Sequence, residues 1–472
     1  MRLDEEHHAK IVERQVNQME RAVIDQVYRG SGSDPYDPVA LLKMVLFQYL
    51  KGNPSPATWH DEANFNEAMQ WLGRGYTPAR RTWYDFRDRL HKVIEQLHEQ
   101  IVSRALDEQH LNPTVGVQDG TAVAACASRH RTVTRATLDQ RSAQLAKIIR
   151  GEFDEELPQW VPPTDSGRLD LAGRMKQASE VLAARIAKNT RKPSTKRKDP
   201  EKIQVSLSDP TAPLGRDKLK VFRPLYTVQC MVAPGSHLIM SYCCEAEATD
   251  AGTLTPMIDK TQTAIQGQMK TVLADSGYCS IVDLQDCRQR GIELLSPVQA
   301  NSFTESKRKA QPNQQISRDK FEWDPVENCY RCPQGHRLDY HDRVRKKRHS
   351  DRQIWEYRYR CDPIHCGHCP LAKQCLRPGS ASRQIKQLED QELLDAQRRK
   401  MATPEVQARY RLRSQTVERA YADSKGNRRL TRFHGRGLSR ARTETGIMVV
   451  AQNLLRLDRL ERGPVTTFRI QT

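Results

Sequence analysis

Three acidic residues lie in sequence contexts that suit metal-dependent chemistry on a phosphate group. The sequence predicts that Asp119 and Asp275 each end a short apolar strand and that Glu418 lies on a basic helix. Two Mg²⁺ ions about 4 Å apart activate a water or a sugar hydroxyl and neutralise the charge that develops on a phosphate. Because Mg²⁺ needs only one or two carboxylates per ion, three such residues are sufficient. Together with the formal net charge of +18, the pattern predicts an enzyme that cuts and joins DNA.

Each of the three acids also has an ordinary structural interpretation. An Asp after a strand commonly forms a turn or caps a helix, which would account for Asp119 and Asp275. Glu418 has Arg411 and Lys425 seven residues to either side, and an acid among basic neighbours is commonly a solvated surface residue. The chemical interpretation therefore depends on the three acids being considered together.

The charge of the chain predicts a polyanionic partner. Lys and Arg number 76 against 58 Asp and Glu, which gives a formal net charge of +18 over 472 residues. The surplus is concentrated towards the end, since residues 401–472 contain 15 basic and 6 acidic residues. Clustered positive charge attracts nucleic acid, although a basic, solvated surface is the alternative.

The sequence predicts a cytoplasmic, nucleoid-associated protein without membrane segments. The N-terminus is charged throughout, and the longest apolar run, residues 39–50, is interrupted by Lys43, so neither a signal peptide nor a membrane span is expected. The length suits roughly two to four domains. In a reducing compartment the 12 cysteines are not expected to form disulfides.

Residues 1–112 are predicted to form a helical domain for DNA binding or assembly. Two helices are expected to begin at Asp37-Pro38 and Thr77-Pro78, because a capping side chain followed by proline is typical of a helix start. Either a helix-turn-helix in a DNA groove or an ordinary helical bundle fits the second helix. Its apolar stripe has helical spacing and consists of Trp83, Phe86, Leu90, Val93 and Leu97.

Residues 113–300 are predicted to form the first part of an α/β core, a mixed sheet flanked by helices. A strand ending at Asp119 precedes a hairpin that turns at Pro234-Gly235. A helix capped by Asp250, a strand before Asp275, a helix stopped by Gly291 and a last strand follow. Residues 132–201 are predicted to be a helical insertion ending in a mobile basic loop, formed by Arg191, Lys192, Lys196, Arg197 and Lys198.

Residues 396–465 are predicted to complete the core after a Cys-rich insertion at residues 301–395. One helix is expected from residue 404 to about residue 425, then a basic loop to residue 437 and an amphipathic helix over residues 438–457. A basic run within the insertion is either a phosphate contact or a solvated loop; it consists of Arg343, Arg345, Lys346, Lys347 and Arg348.

The Cys-rich segment predicts a closed, structural zinc site. The pairs Cys329 with Cys332 and Cys366 with Cys369 have the two-residue spacing that suits thiolates on tetrahedral Zn²⁺. Such a site would stabilise a segment that has a small core of its own. A set of free thiols is the alternative.

Four stretches of the chain resemble DDE-type transposases of bacterial insertion sequences, in the branch with an RNase H-like core and an N-terminal helical transposase domain. Their order and spacing over almost the whole chain make the combination specific. The stretches are residues 36–52, Asp119-Gly120-Thr121, residues 274–278, and Val417-Glu418 followed by Lys425 and Gly435-Arg436-Gly437-Leu438. The resemblance implies that Asp119, Asp275 and Glu418 are the catalytic triad and bind two Mg²⁺ or Mn²⁺ ions.

The resemblance also implies contacts with double-stranded DNA, at the transposon ends and in the target. It makes Lys425 a contact to the transposon end. Relatives have an arginine four residues before the glutamate, where this chain has Ser414, so that role falls to Arg411 or Arg413. Charge adds further phosphate contacts, namely Arg428, Arg429, Arg432, Arg436 and Arg440.

For zinc, the resemblance favours Cys332, Cys366, Cys369 and Cys375, with Cys329 and Cys361 in reserve. For activity, it implies metal-assisted hydrolysis that frees 3′ hydroxyls at the element's ends and their attack on target DNA, carried out by a homodimer or larger assembly. A non-catalytic zinc-containing DNA-binding protein, such as a decayed transposase acting as a regulator, is the alternative. A nuclease without strand transfer is a third possibility.

Overall fold

A computed structural model describes the chain with a few gaps, and its fold is mixed α/β as predicted. The described residues are 3–28, 36–192, 194, 197–217, 219–247, 250–299, 316, 318–347 and 353–463. The chain forms two compact units, one made of Met1–Asp250, Met257–Met269 and Leu412–Thr472, the other of Ala251–Pro256 and Lys270–Arg411. The boundaries predicted at residues 112, 300 and 395 do not coincide with this division and stay predictions.

Helices form the first part of the chain, as predicted. Asp37 caps the third helix, since its carboxylate accepts a hydrogen bond from Val39 N (3.1 Å). The other predicted start is wrong, because His60 Nδ1 binds the Pro78 carbonyl (3.1 Å) and the helix begins only at Arg80. The helices are α1 (His8–Val16), α2 (Arg21–Asp25), α3 (Pro38–Leu50), α4 (Pro56–Phe65), α5 (Glu67–Leu72), α6 (Arg80–Arg89) and α7 (Ile94–Asp107).

The predicted apolar stripe is buried but spans more than one helix. Trp83 and Phe86 lie on α6, Leu90 lies on a 3₁₀ turn, and Leu97 lies on α7. These residues, together with Val93, are at most 1% exposed. Either a helix-turn-helix or a helical bundle buries such a stripe.

An antiparallel sheet in the first unit contains Asp119. The first strand pairs with the fifth from Val117↔Val232 to Ala124↔Leu225, and the fifth also pairs with the fourth and sixth. The predicted hairpin is present, with Gly235 at φ 84° in its turn, a conformation that favours glycine. The strands are β1 (Val115–Ala124), β2 (Thr132–Val133), β3 (Val205–Ser206), β4 (Leu214–Arg216), β5 (Phe222–Val232) and β6 (Ile239–Glu245).

A helical hairpin is inserted after β1, where the sequence predicts a helical insertion. It consists of α8 (Arg135–Ile149) and α9 (Asp165–Thr190). The pairing of β2 with β3 closes its base. Its core is aliphatic and includes Leu138 and Leu182, both 0% exposed. Lys196 of the predicted basic loop lies outside the described residues.

The second unit includes the strand that precedes Asp275. Its β7 (Thr271–Leu273) and β8 (Glu293–Leu295) pair in parallel. Between them lies α11 (Ile281–Gln289), which begins with a Ser280 capping box. The preceding α10 (Leu254–Ala264) begins four residues after Asp250, its predicted cap, and the Asp250 carboxylate accepts a hydrogen bond from Gln229 (2.7 Å).

The Cys-rich segment forms an antiparallel sheet that the sequence did not predict. Its strands lie in the order β13-β12-β11-β10-β9. Lys346, Lys347 and Arg348 of the predicted basic run have side chains outside the described part. The elements are β9 (Glu322–Asp324), β10 (Cys329–Arg331), β11 (Arg337–Lys347), β12 (Gln353–Cys361), α12 (Pro363–Gly367), α13 (Ala372–Cys375) and β13 (Gln384–Leu388).

The helix predicted from residue 404 to about residue 425 is interrupted. After α14 (Gln391–Met401), the chain forms α15 (Pro404–Tyr410), α16 (Leu412–Ala422) and a π-helical turn (Asp423–Asn427). The segment before the break has contacts within the second unit, where the Tyr410 hydroxyl donates to the Ala274 carbonyl (3.1 Å).

The last helix, α17 (Leu438–Arg462), confirms the predicted C-terminal helix. It packs against α1, α3, α6 and α7 of the N-terminal segment and against β6. Within the described ranges, no helix has both the length and the apolar character needed to cross a membrane.

Candidate functional site

Asp119 lies inside β1 rather than at its end. The strand continues to Ala124 because it is paired along its length with β5, where Cys230 lies opposite Asp119. The Asp119 side chain is 21% exposed and forms an ion pair with Arg413 (Nη2–Oδ1 3.1 Å). Burial raises the pKa of the Cys230 thiol to about 12, so this neighbour stays protonated and neutral.

The helix that carries Glu418 is attached to β1 through two other side chains. Arg413, at the start of α16, binds the Asp119 carboxylate, and the Tyr421 hydroxyl, near its end, donates to the Asp119 carbonyl oxygen (2.6 Å). Val417 on the same helix is 1% exposed. Because both members of the ion pair are mostly buried, it is less screened than a surface pair. These contacts hold the Glu418 helix beside the Asp119 strand.

Glu418 itself is exposed to solvent. Its carboxylate has no hydrogen-bond or ion-pair partner within the described part of the chain. On an α-helix it lies about 60° around the axis from Tyr421 and about 100° from Val417, at the border of the buried face. Glu418 is therefore a carboxylate available to a cation, in the same unit as Asp119.

Asp275 belongs to the second unit and caps a 3₁₀ turn. It follows β7, as predicted, and its carboxylate accepts a hydrogen bond from Gly277 N (2.7 Å), while Ser296 Oγ donates to its carbonyl (2.6 Å). The capping role foreseen as an alternative is therefore present. It does not exclude cation binding, because a carboxylate has about four lone-pair positions. Its place in one site with Asp119 and Glu418 stays a prediction.

The two arginines proposed for the role at position 414 have different environments. Arg413 is 19% exposed and bound to Asp119. Arg411 is exposed, between α15 and α16. Sequence spacing alone did not separate the two.

Lys425 and Arg428, both predicted DNA contacts, are bonded to other parts of the protein. Lys425 lies in the π-helical turn, and its ammonium donates to the Ala122 carbonyl of β1 (3.1 Å). Arg428 is 6% exposed, pairs with Asp423 (3.3 Å) and donates to the Leu50 carbonyl. Arg428 therefore joins the π-helical turn to α3, and its environment is that of a structural residue.

The other basic residues of the loop lie at the surface. Arg429 and Arg436 are exposed, and neither side chain has a polar partner among the residues that the structure describes. Arg432 is exposed, and its guanidinium donates to a carbonyl just beyond β1 (2.9 Å). Arg440 is 47% exposed and pairs with Asp88 (2.8 Å).

Sequence reasoning missed Glu444, the residue on α17 that holds the basic loop. It is 1% exposed and accepts hydrogen bonds from the backbone N–H groups of His434 (2.8 Å) and Gly435 (2.5 Å). Burial raises the pKa of Glu444 to about 7, against the opposing effects of these hydrogen bonds and of Arg87. A Cβ at position 435 would lie 2.9 Å from the Glu444 carboxylate. The glycines on either side of Arg436 were the available sequence signal.

Two family models match the chain. One, described as a transposase DDE domain, matches residues 331–458, and the other, described as a transposase domain (DUF772), matches residues 1–89. The first range contains Glu418 and the basic loop, while Asp119 and Asp275 lie outside both ranges. No curated protein and no solved structure matches the chain.

Both descriptions give the same class of protein, in the order that the sequence resemblance predicts. The chain is a DDE-type transposase of the insertion-sequence type. Membership of this family implies binding to DNA and general use of a divalent metal. The matched DDE range of the transposase is divided between the two compact units. Residues 331–411 belong to the second unit and residues 412–458 to the first.

Four cysteines of the transposase share one core in the Cys-rich sheet. Cys361 and Cys366 are buried in it, and Cys332 and Cys375 pack against it. Burial, reinforced by the neighbouring thiols, raises the pKa of Cys361 to about 12. Cys369 lies close by, since its N–H donates to the Cys366 carbonyl (3.4 Å). Cys361, predicted only as a reserve ligand, is thus more central than Cys369.

Cys329 lies apart from these cysteines. It alternates along β10 with Tyr330, which is in the core, so Cys329 lies on the opposite face of the sheet. In the described part, the group of three donors that all lie within 4.8 Å of one another is Asp324, Glu327 and Cys329, and arginines pair with both acids. The core thiols have suitable chemistry for Zn²⁺, but no three of them approach one another this closely. The zinc ligands stay a prediction.

Proposed function

We propose that this transposase cleaves DNA at the ends of its insertion sequence and joins the freed 3′ hydroxyls to target DNA. Asp119, Asp275 and Glu418 would bind two divalent ions, Mg²⁺ or Mn²⁺. The observation that carries the proposal is the attachment of the Glu418 helix to the Asp119 strand through Arg413 and Tyr421. Carboxylates held on rigid elements are what a metal site requires.

The reaction has two phosphoryl-transfer steps. In the first, water attacks the phosphorus at the element's end and the 3′ oxygen leaves as a hydroxyl. In the second, that hydroxyl attacks a target phosphate and another 3′ hydroxyl leaves. The bound ions would lower the pKa of the attacking group and neutralise charge on the phosphate, so no side chain is required as a general base.

Arg413 is proposed as a positioning residue. Its guanidinium binds Asp119 Oδ1, so it compensates the charge of that carboxylate and fixes its orientation. It would serve in place of the arginine that relatives have at the position of Ser414. Arg411 is the more exposed of the pair and is assigned to DNA phosphate.

Double-stranded DNA is the proposed partner, both as transposon ends and as target. Lys425 at β1 is assigned to the transposon end, and Arg428 supports the loop from inside. A homodimer or larger assembly would hold paired ends, in a nucleoid-associated location. The phosphate contacts would be made by the more exposed arginines, namely Arg429, Arg432, Arg436 and Arg440.

A structural Zn²⁺ is proposed for the Cys-rich sheet. Its ligands would come from the thiols in and around the core, where a bound ion would add stability to a small cluster. The candidates are Cys332, Cys361, Cys366, Cys369 and Cys375.

The proposal is tested by metal-dependent nicking of duplex DNA that carries the element's ends. Asp119→Asn, Asp275→Asn and Glu418→Gln are each expected to lower the cleavage rate by about a hundredfold or more while DNA binding is kept. Glu405→Gln is the matched control, since Glu405 is an exposed acid on the preceding helix. Zinc content measured on the same preparations tests the structural site, and protein without zinc contradicts it.

The outcomes separate the alternatives. Wild-type protein that binds DNA but does not cut it, under any divalent ion, would make the chain a DNA-binding regulator. Cut ends without joined product would make it a nuclease. Full cleavage by Asp275→Asn would remove that residue from the triad.

A further inference from the structure

The helical hairpin α8–α9 has different charge at its two ends. Residues 185–202, where the hairpin returns to β3, contain 8 basic and 2 acidic residues. The remainder, residues 135–184, contains 7 basic and 8 acidic residues, with the exposed run Asp154-Glu155-Glu156 between the helices. We call residues 129–131, 185–192 and 197–202 the hairpin base. Positive charge is therefore concentrated at the base, next to β1, and the far end is acidic.

Buried polar groups hold the hairpin base. Asn189 is 4% exposed, and its side chain donates to the Lys198 carbonyl (2.7 Å) and accepts from Lys198 N (3.0 Å). Arg185 donates to the carbonyls of Gln204 (3.0 Å) and Ala212 (2.9 Å). Asn189 thus joins Lys198 to the end of α9, while Arg185 joins α9 to the segment after it.

Four cations of the hairpin base lack acidic partners among the described residues, whereas Lys188 pairs with Glu247 (3.2 Å) and Lys202 with Asp199 (3.9 Å). Arg131, Arg191, Lys192 and Lys198 are exposed, and their charged groups have no partner among the described residues. In the rest of the hairpin, Arg141 lies over the Trp160 ring, and four arginines pair with nearby acids, in the pairs Arg135–Asp139, Arg150–Glu152, Arg168–Asp165 and Arg174–Asp170. Because unpaired cations keep their full attraction for an anion, the base is the part of the hairpin suited to a polyanion.

The hairpin base adjoins the surface formed by the basic loop. Ala124, the last residue of β1, exchanges backbone hydrogen bonds with Thr431 (3.1 Å) and Phe433 (2.9 Å) of that loop. Arg432 donates to the Ala127 carbonyl (2.9 Å), and Arg131 of the hairpin base follows shortly along the chain. The basic loop is therefore attached at the end of β1, and the segment that follows this end leads to Arg131, whose carbonyl accepts from Leu207 N (3.2 Å) beyond β3, within the same compact unit.

We infer that the hairpin base is a second phosphate-contacting surface, which binds the backbone of duplex DNA beyond the part contacted by the basic loop. The inference rests on the proposed function, because it takes DNA as the occupant. Phosphate contacts release counterions and add affinity without reading sequence. The acidic far end repels the same polyanion, which favours DNA at the base.

The test compares two fourfold variants of the full chain. Arg131→Gln, Arg191→Gln, Lys192→Gln and Lys198→Gln together remove the unpaired cations. Binding to linear duplex DNA, measured from roughly 0.05 to 0.2 M salt, is expected to weaken by about tenfold or more, and the slope of log K against log salt to become shallower by about 3 to 4. The control replaces the four paired arginines, namely Arg135, Arg150, Arg168 and Arg174, and is expected to leave the slope unchanged.

Equal affinity and equal salt slope in the two variants would overturn the inference. Thermal unfolding of both shows that the comparison is made on folded protein. Wild-type protein that does not bind duplex DNA would defeat both the inference and the proposed function. A loss of affinity in the first variant only, with normal cleavage by Asp119→Asn, would defeat the triad but keep the hairpin base as a DNA surface.

Discussion

Two glutamates on the helices that flank the basic loop have opposite environments. Glu418 on α16 is exposed and has no polar partner within the described residues. Glu444 on α17 is 1% exposed and accepts two backbone hydrogen bonds from the loop. The same residue type therefore has two different roles. An exposed carboxylate keeps its acceptors for a cation, and a buried one uses them to fix a backbone.

The two environments also differ in the free-energy cost of placing a carboxylate there. A buried carboxylate is unfavourable unless hydrogen bonds or a cation compensate it. At Glu444 the backbone N–H groups and Arg87 (3.7 Å) compensate only in part, so its pKa remains raised to about 7. Glu418 is exposed and has no such cost of burial, so we expect its replacement to leave the fold intact.

Glutamine at each position gives the sharpest form of this comparison. Glu418→Gln is expected to lower cleavage by about a hundredfold or more and to change the free energy of unfolding by less than about 0.5 kcal/mol. Glu444→Gln is expected to cost about 1–3 kcal/mol, because its amide N–H₂ faces a backbone donor. Denaturant unfolding and nicking assays measure both. Equal loss of stability in the two variants would break the comparison.

Glu444 is expected to contribute to the pH dependence of stability. Its folded-state pKa of about 7 lies above the ordinary 4.5, so the folded chain binds this proton more tightly than the unfolded chain. The contribution is complete below pH 4.5 and is lost as the pH rises through 7, a change of up to about 3 kcal/mol. His98, whose pKa burial lowers to about 4, has the opposite effect over much of this range, so the expected signal is a fall in the free energy of unfolding of the wild type relative to Glu444→Gln between pH 4.5 and pH 7. Parallel curves would contradict the assignment.

A methyl group added beside Glu444 should also lower the stability of the protein. In Gly435→Ala the new Cβ would lie 2.7 Å from the Arg440 Cβ and 2.9 Å from the Glu444 carboxylate, which predicts a loss of about 1–3 kcal/mol. Gly426→Ala is the matched control, since nothing lies within 4 Å of its new Cβ. Thermal unfolding of both variants measures the difference in stability. Similar melting temperatures would show that the loop backbone shifts to accommodate the methyl group, and would contradict the prediction.

The sequence predicted those elements whose signals are local. The Asp37-Pro38 start depends on one side chain and its neighbours, and it is confirmed. Thr77-Pro78 has the same signal, but His60 binds the Pro78 carbonyl from another helix. The predicted end of β1 at Asp119 was wrong for a similar reason, because pairing with β5 extends the strand.

The candidate site shows the same division between local signals, which the sequence reveals, and long-range contacts, which it does not. The acids stand out by type and spacing, whereas their supports depend on contacts between distant segments. Arg413 and Tyr421 reach Asp119 across about 300 positions of sequence, and no periodicity reveals such a contact. Cys361 likewise joins the thiol core because β12 brings it there, whereas its spacing from the paired cysteines gave no such signal.

The packing of α17 against α1, α3, α6 and α7 means that this recombinase is not modular in the usual sense. Deleting residues 1–112 would uncover the apolar flank of α17 and leave the Glu444 carboxylate without Arg87. A shortened chain would then be prone to aggregate rather than to retain activity. Engineering a different end specificity should proceed by surface substitution within the intact polypeptide, since exchange of its leading segment would disturb the helix that holds the basic loop.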